Sequence, residues 1–220
     1  MHSGDGERAG RTASGSTTRA VESKVESFYP VLRFLHVMAF VFMSVPLFNL
    51  IVVNERAQLG SSFSYDADRY MENIIRRGAT RCFVFQATVF VTGVLLLIVG
   101  PLGITALWSN WVLLVKTLLL FGLMGLLSFV HLRLQPSIDA ILAEAQPDAP
   151  VPDDLPARLK PFRILRKRLA TLCLFLLIVT IILGMQVYGT FSAGLTVALI
   201  ALAGLFAWRV NKSLIRFGWI

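Results

Sequence analysis

Charge is what this chain has least of. Asp, Glu, Lys and Arg together make up 15% of its 220 residues, against 55% hydrophobic residues and a mean hydropathy of +0.68. No soluble domain covers so much apolar surface with so few charges, so the composition reads as a polytopic membrane protein. Cysteine is nearly absent too: Cys82 and Cys173 are far apart and sit in no CxxC spacing, which excludes a disulfide framework and leaves two ordinary buried thiols. There are three histidines. No Gly-rich phosphate loop, HExxH, Ser-His-Asp grouping or pair of acids within an apolar run is present, so hydrolytic and nucleotide-driven chemistry have no support.

Acids are scarcer than bases, 13 against 21, for a formal charge of +8. In a soluble chain that excess would raise the question of nucleic acid. Here the bases lie in the breaks between apolar runs, where membrane orientation accounts for them, and nucleic-acid binding is set aside.

Five apolar runs are long enough to cross a hydrocarbon layer of roughly 30 Å: about 31–53, 82–99, 108–132, 169–188 and 191–210. The fold class is therefore all-α, a bundle of five transmembrane helices. Residues 1–27, rich in Gly, Ser, Thr and Arg, bury too little apolar surface to offset chain entropy, and the composition predicts a disordered tail. Residues 28–220 then form a single transmembrane domain. Pro46 lies inside the first span and predicts a kink. Between the first two spans, Tyr70, Met71, Ile74 and Ile75 share one helical side and Glu72 stands four residues before Arg76. This predicts an amphipathic interfacial helix over about 66–77, with Asp66 as N-cap and Gly78 as its stop. Gly100-Pro101 ends the second span. Gly122, Gly125 and Ser128 form a flat seam on the third, suited to a neighbouring helix. Residues 133–168 read as a large loop ending in a basic cluster at Arg163, Arg166, Lys167 and Arg168.

With five spans, the loops after the first and third runs and the C-terminal tail share one side, and they carry most of the Lys and Arg outside the spans. On the other side, the four bases of the N-terminal tail are balanced by four acids and the two short links carry no charge. The positive-inside rule puts the N-terminus outside, the C-terminus and the 133–168 loop in the cytoplasm, and the chain in a cytoplasmic (inner) membrane.

Against that background, polar residues inside the spans stand out, because in a bilayer they are costly and mark function. His36 lies near the leading end of the first span, with Arg33 three residues before it, and Lys116 lies in the third span at similar depth from the same side. The imidazole suits an axial haem ligand, a metal ligand or a proton relay. Lys116 must find a partner, snorkel or lose its proton, and Arg33 can hold an anionic group such as a propionate beside His36. His131 sits near the opposite boundary and reads as interfacial. Met43, on the His36 face, reads as packing.

Four segments carry a resemblance: L-R-F-L-H (Leu32 to His36), R-R-G-A-T-R (Arg76 to Arg81), N-W-V-L-L-V-K-T-L-L-L (Asn110 to Leu120) and R-K-R-L (Arg166 to Leu169). Over residues 30–188 the chain resembles the CopD-like and HemJ-like integral membrane proteins, and R-Y-M-E-N-I-I (Arg69 to Ile75) is similar to the HemJ-like branch. The HemJ-like resemblance implies a protoporphyrinogen-oxidase-like oxidoreductase binding haem b, with His36 and Lys116 matching its essential first-helix histidine and third-helix lysine. The CopD-like one implies copper uptake. The residues leave three readings open: haem or porphyrin binding at His36, Lys116 and Arg33; copper handling; and a non-catalytic subunit or assembly factor with membrane-protein partners or further copies of itself.

Overall fold

The structure, a computed structural model, describes the backbone of residues 6–55, 64–145, 152–187, 189 and 191–212, and the side chains of 28–53 and of the later described residues. Helix α1 spans Gly6–Glu55, α2 Tyr65–Val99, α3 Ala106–Ser109, α4 Trp111–Phe129, α5 Gln135–Leu142, α6 Leu155–Gln186 and α7 Ala193–Lys212, with a five-residue π-helical segment, Val130–Leu134, joining α4 to α5. Among the described residues there is no strand.

Among the described residues, five helices are long and apolar enough to cross a membrane: Phe28–Val53 within α1, Tyr65–Val99, Trp111–Leu142, Leu155–Gln186 and Ala193–Lys212. The five-span reading holds, but the helices overrun the apolar runs that announce them. Helix α1 already begins at Gly6, inside the stretch whose composition predicts a tail without structure, and it continues through both Pro30 and Pro46. The amphipathic segment at 66–77 is not a separate interfacial helix. It is the first part of α2, which passes Gly78 without stopping and takes Ser64 rather than Asp66 as its N-cap. Glycine lowers helix stability by only about 1 kcal/mol, a cost that packing readily offsets, and Gly78 lets α2 approach α1 until an added Cβ would stand 3.6 Å from Pro46 Cβ. Much of the 133–168 stretch is likewise helical, as α5 and the first turns of α6.

Helix α6 is the hub. Its apolar window is 44% buried, against 17–28% for the other four, and it packs on α1, α4 and α7, while α1 and α2 form the most extensive pair. One core cluster joins Phe40, Met43 and Leu47 of α1 to Val89 of α2, Leu120 and Leu123 of α4, and Leu177 of α6, with Cys82 and Cys173 in the same cluster. The α2 end is fixed at Gly100, where a Cβ would collide with the Leu96 carbonyl oxygen and stand 2.8 Å from the Tyr29 ring. Among the described residues the seam of Gly122 and Gly125 meets no neighbour, since a Cβ at either position would find nothing of them within 4 Å.

Candidate functional site

His36 is held from α2. Its Nδ1 lies 2.9 Å from Thr92 Oγ1, and the Thr92 hydroxyl donates to the Thr88 carbonyl oxygen at 2.6 Å. A hydroxyl has one proton. The same hydroxyl lies 3.3 Å from the Val89 carbonyl oxygen, and with its proton on either carbonyl the Thr92 oxygen accepts in the tautomer that carries hydrogen on His36 Nδ1, which leaves Nε2 as the lone-pair nitrogen. Gly93 makes room for the ring: a Cβ there would stand 3.2 Å from His36 Cε1.

Lys116 comes from α4 and meets α1 and α6. Its Nζ lies 5.6 Å from the centroid of the Phe40 ring, and a Cβ on Gly184 of α6 would stand 3.1 Å from that nitrogen. Among the described residues Lys116 has no acidic partner, and the Phe40 ring supplies the cation–π contact that partly compensates. The His36 and Phe40 rings meet edge to face with centroids 5.7 Å apart. His36 and Lys116 therefore both meet one aromatic ring, that of Phe40, one helical turn below His36. Arg33 is exposed.

His131 belongs to a different layer. It lies in the π-helical segment, packs edge to face against Phe83 at 5.9 Å, and its buried Nδ1 has no hydrogen-bond partner among the described residues. Phe83 and Thr92 are nine residues apart on α2, about 14 Å along the axis.

A third polar constellation escaped the sequence reading, which paired Glu72 with Arg76. In the structure Arg76 donates to Asn73, and Glu72 instead turns inward at 4% exposure. Its two oxygens accept from Arg166 Nη2 at 2.9 Å and Nη1 at 2.5 Å, from Arg163 Nε at 3.3 Å and from Gln135 Nε2 at 3.2 Å. Four donors fill the four acceptor positions of a carboxylate. Asp68 receives Arg163 Nη1 at 2.9 Å and the Ser64 backbone N–H at 3.2 Å, so it also closes the start of α2. Gln135 accepts from Arg166 at 2.8 Å and donates to Asp139 at 3.2 Å. The signal was in the sequence: two acids at i, i+4 on one helix and two arginines at i, i+3 on another match in charge and pitch. Glu72 is twenty residues from Thr92, about 30 Å along α2, so this network stands a membrane's thickness from His36 and acts as a clamp between α2, α5 and α6.

The histidine layer can bind one ligand atom through Nε2 and place one cation nearby. Among the described residues no three of His, Cys, Asp and Glu stand together as a metal-binding group. No protein-family model, curated protein sequence or solved structure matches this chain.

Proposed function

We propose that this integral membrane protein binds haem b or a related porphyrin through His36, on a HemJ-like scaffold with the N-terminus outside and the C-terminus in the cytoplasm of an inner membrane. The Thr88–Thr92–His36 chain is the observation that carries this reading. Histidine ligands are typically oriented by a hydrogen bond from the other ring nitrogen, and this one leaves Nε2 as the donor atom.

The residues fit the group in donor type and in charge. His36 supplies one axial nitrogen, and Lys116 is a cation without an acidic partner among the described residues, suited to a propionate. Both side chains pack against Phe40, so a macrocycle bound at them would meet this ring. Bound haem would supply one-electron chemistry. The protein's own contribution is to orient the imidazole, to place a positive charge near it and to keep both within an apolar core. Copper handling draws less support, because among the described residues His36 belongs to no group of three His, Cys, Asp or Glu side chains that could hold a metal ion.

Protein purified in detergent from haem-replete cells should carry a Soret band that His36→Ala removes. A colourless, iron-free preparation overturns the proposal. Stable partner proteins co-purifying unchanged with His36→Ala and Lys116→Ala would favour a non-catalytic subunit or assembly factor instead.

A further inference from the structure

Helices α6 and α7 enclose a groove of about 300 Å³ on the outside of the bundle. Because the two helices run antiparallel, its lining sorts by polarity. Arg168 of α6 and Asn211 of α7 share one end; Thr171 and Trp208 follow; Phe175 and Gly204 share the other end, seven residues or about 10 Å deeper. A Cβ on Gly204 would stand 3.7 Å from the Phe175 ring, so the glycine keeps the deep end open. Arg168 is exposed, makes no ion pair among the described residues, and no acid lines the groove. A second cation stands at the rim, where Lys212 Nζ lies 4.5 Å over the Trp208 ring.

We propose that this groove holds one anionic phospholipid of the leaflet on the Arg168 side. The phosphodiester sits at Arg168 and Asn211, where a guanidinium offers two parallel N–H donors to phosphate oxygens. Trp208 lies at headgroup depth, and an acyl chain runs past it to Phe175 and Gly204. A basic end and an apolar length together match a phospholipid; a free phosphate has no use for the apolar part. The site lies on α6 and α7 and does not depend on the His36 reading.

The test is native mass spectrometry of the detergent-purified full chain, titrated with phosphatidylglycerol or with phosphatidylcholine of the same acyl chains. Phosphatidylglycerol should be retained more strongly. Arg168→Gln should lower that retention roughly fivefold, the equivalent of about 1 kcal/mol per basic residue near an anionic surface. Arg209→Gln, exposed and outside the lining, should change it less than twofold, and Gly204→Leu should remove retention of both lipids. Gly204→Ala gives the same reading at smaller amplitude if the leucine variant fails to fold. Equal retention of the two lipids, equal losses from Arg168→Gln and Arg209→Gln, unchanged retention in the Gly204 variants, or displacement by millimolar glycerol phosphate would each overturn the proposal.

Discussion

Glu72 and Arg166, 94 residues apart, meet in the interior as a two-point pair, with the arginine fully buried. Burying two charges is costly, and the geometry offsets that cost only while every donor and acceptor stays occupied. Glu72→Gln should therefore destabilise the protein by about 3–5 kcal/mol, because it strands a buried guanidinium. The double variant Glu72→Leu/Arg166→Met, which leaves Asp68 and Arg163 still paired, should recover most of the loss. Thermal midpoints in one detergent would decide this, and a Glu72→Gln midpoint equal to the parent's would mean that the pair does not hold α2 to α6.

Thr92→Val keeps the shape beside His36 but removes the oxygen that accepts from Nδ1–H. Loss of such an orienting partner typically costs 10- to 100-fold in ligand affinity. Haem titration followed at the Soret band should show a loss in that range while the thermal midpoint moves little. Unchanged affinity would mean that the Thr92 bond does not prepare His36 for binding.

Gly93→Leu should act on the same ring by volume. Even one methyl at that position stands 3.2 Å from His36 Cε1, so an isobutyl group must push the imidazole or α1 aside, a strain of about 1–3 kcal/mol. Gly93→Ala should cost much less. A Gly93→Leu protein with parental stability and parental haem titration would contradict the close approach of α1 and α2.

Lys116→Met removes a half-buried cation without an acidic partner among the described residues and keeps an apolar stem against Phe40 and Gly184. Stability should hold or rise, since an unpaired charge leaves an apolar setting, whereas binding of a dicarboxylate porphyrin should weaken relative to its dimethyl ester. A stability loss comparable to that of Glu72→Gln would show that the lysine is structurally paired.

Orientation can be read by impermeant maleimide in a background with Cys82 and Cys173 replaced by alanine. Ser109→Cys, between the second and third spans, should label from outside in intact cells. Arg158→Cys should label only after permeabilisation. The reverse pattern would overturn the orientation inferred from charge.

The sequence by itself determined the number of crossings and the all-α class, because apolar run length against bilayer thickness is a local property of the chain. It also singled out His36 and Lys116, since a polar side chain in an apolar run is visible without any neighbour. What it did not show was pairing. Helix α2 passes Gly78, and Glu72 leaves Arg76 for arginines on α6, because contacts between helices outweigh the roughly 1 kcal/mol of a glycine and the few tenths of an i, i+4 ion pair. Phe40, the ring that both His36 and Lys116 meet, reads in the sequence as one more core aromatic. Only the packing of α1 against α2, α4 and α6 decided which polar groups meet, since those meetings depend on helix rotation and register, which a one-dimensional pattern does not contain.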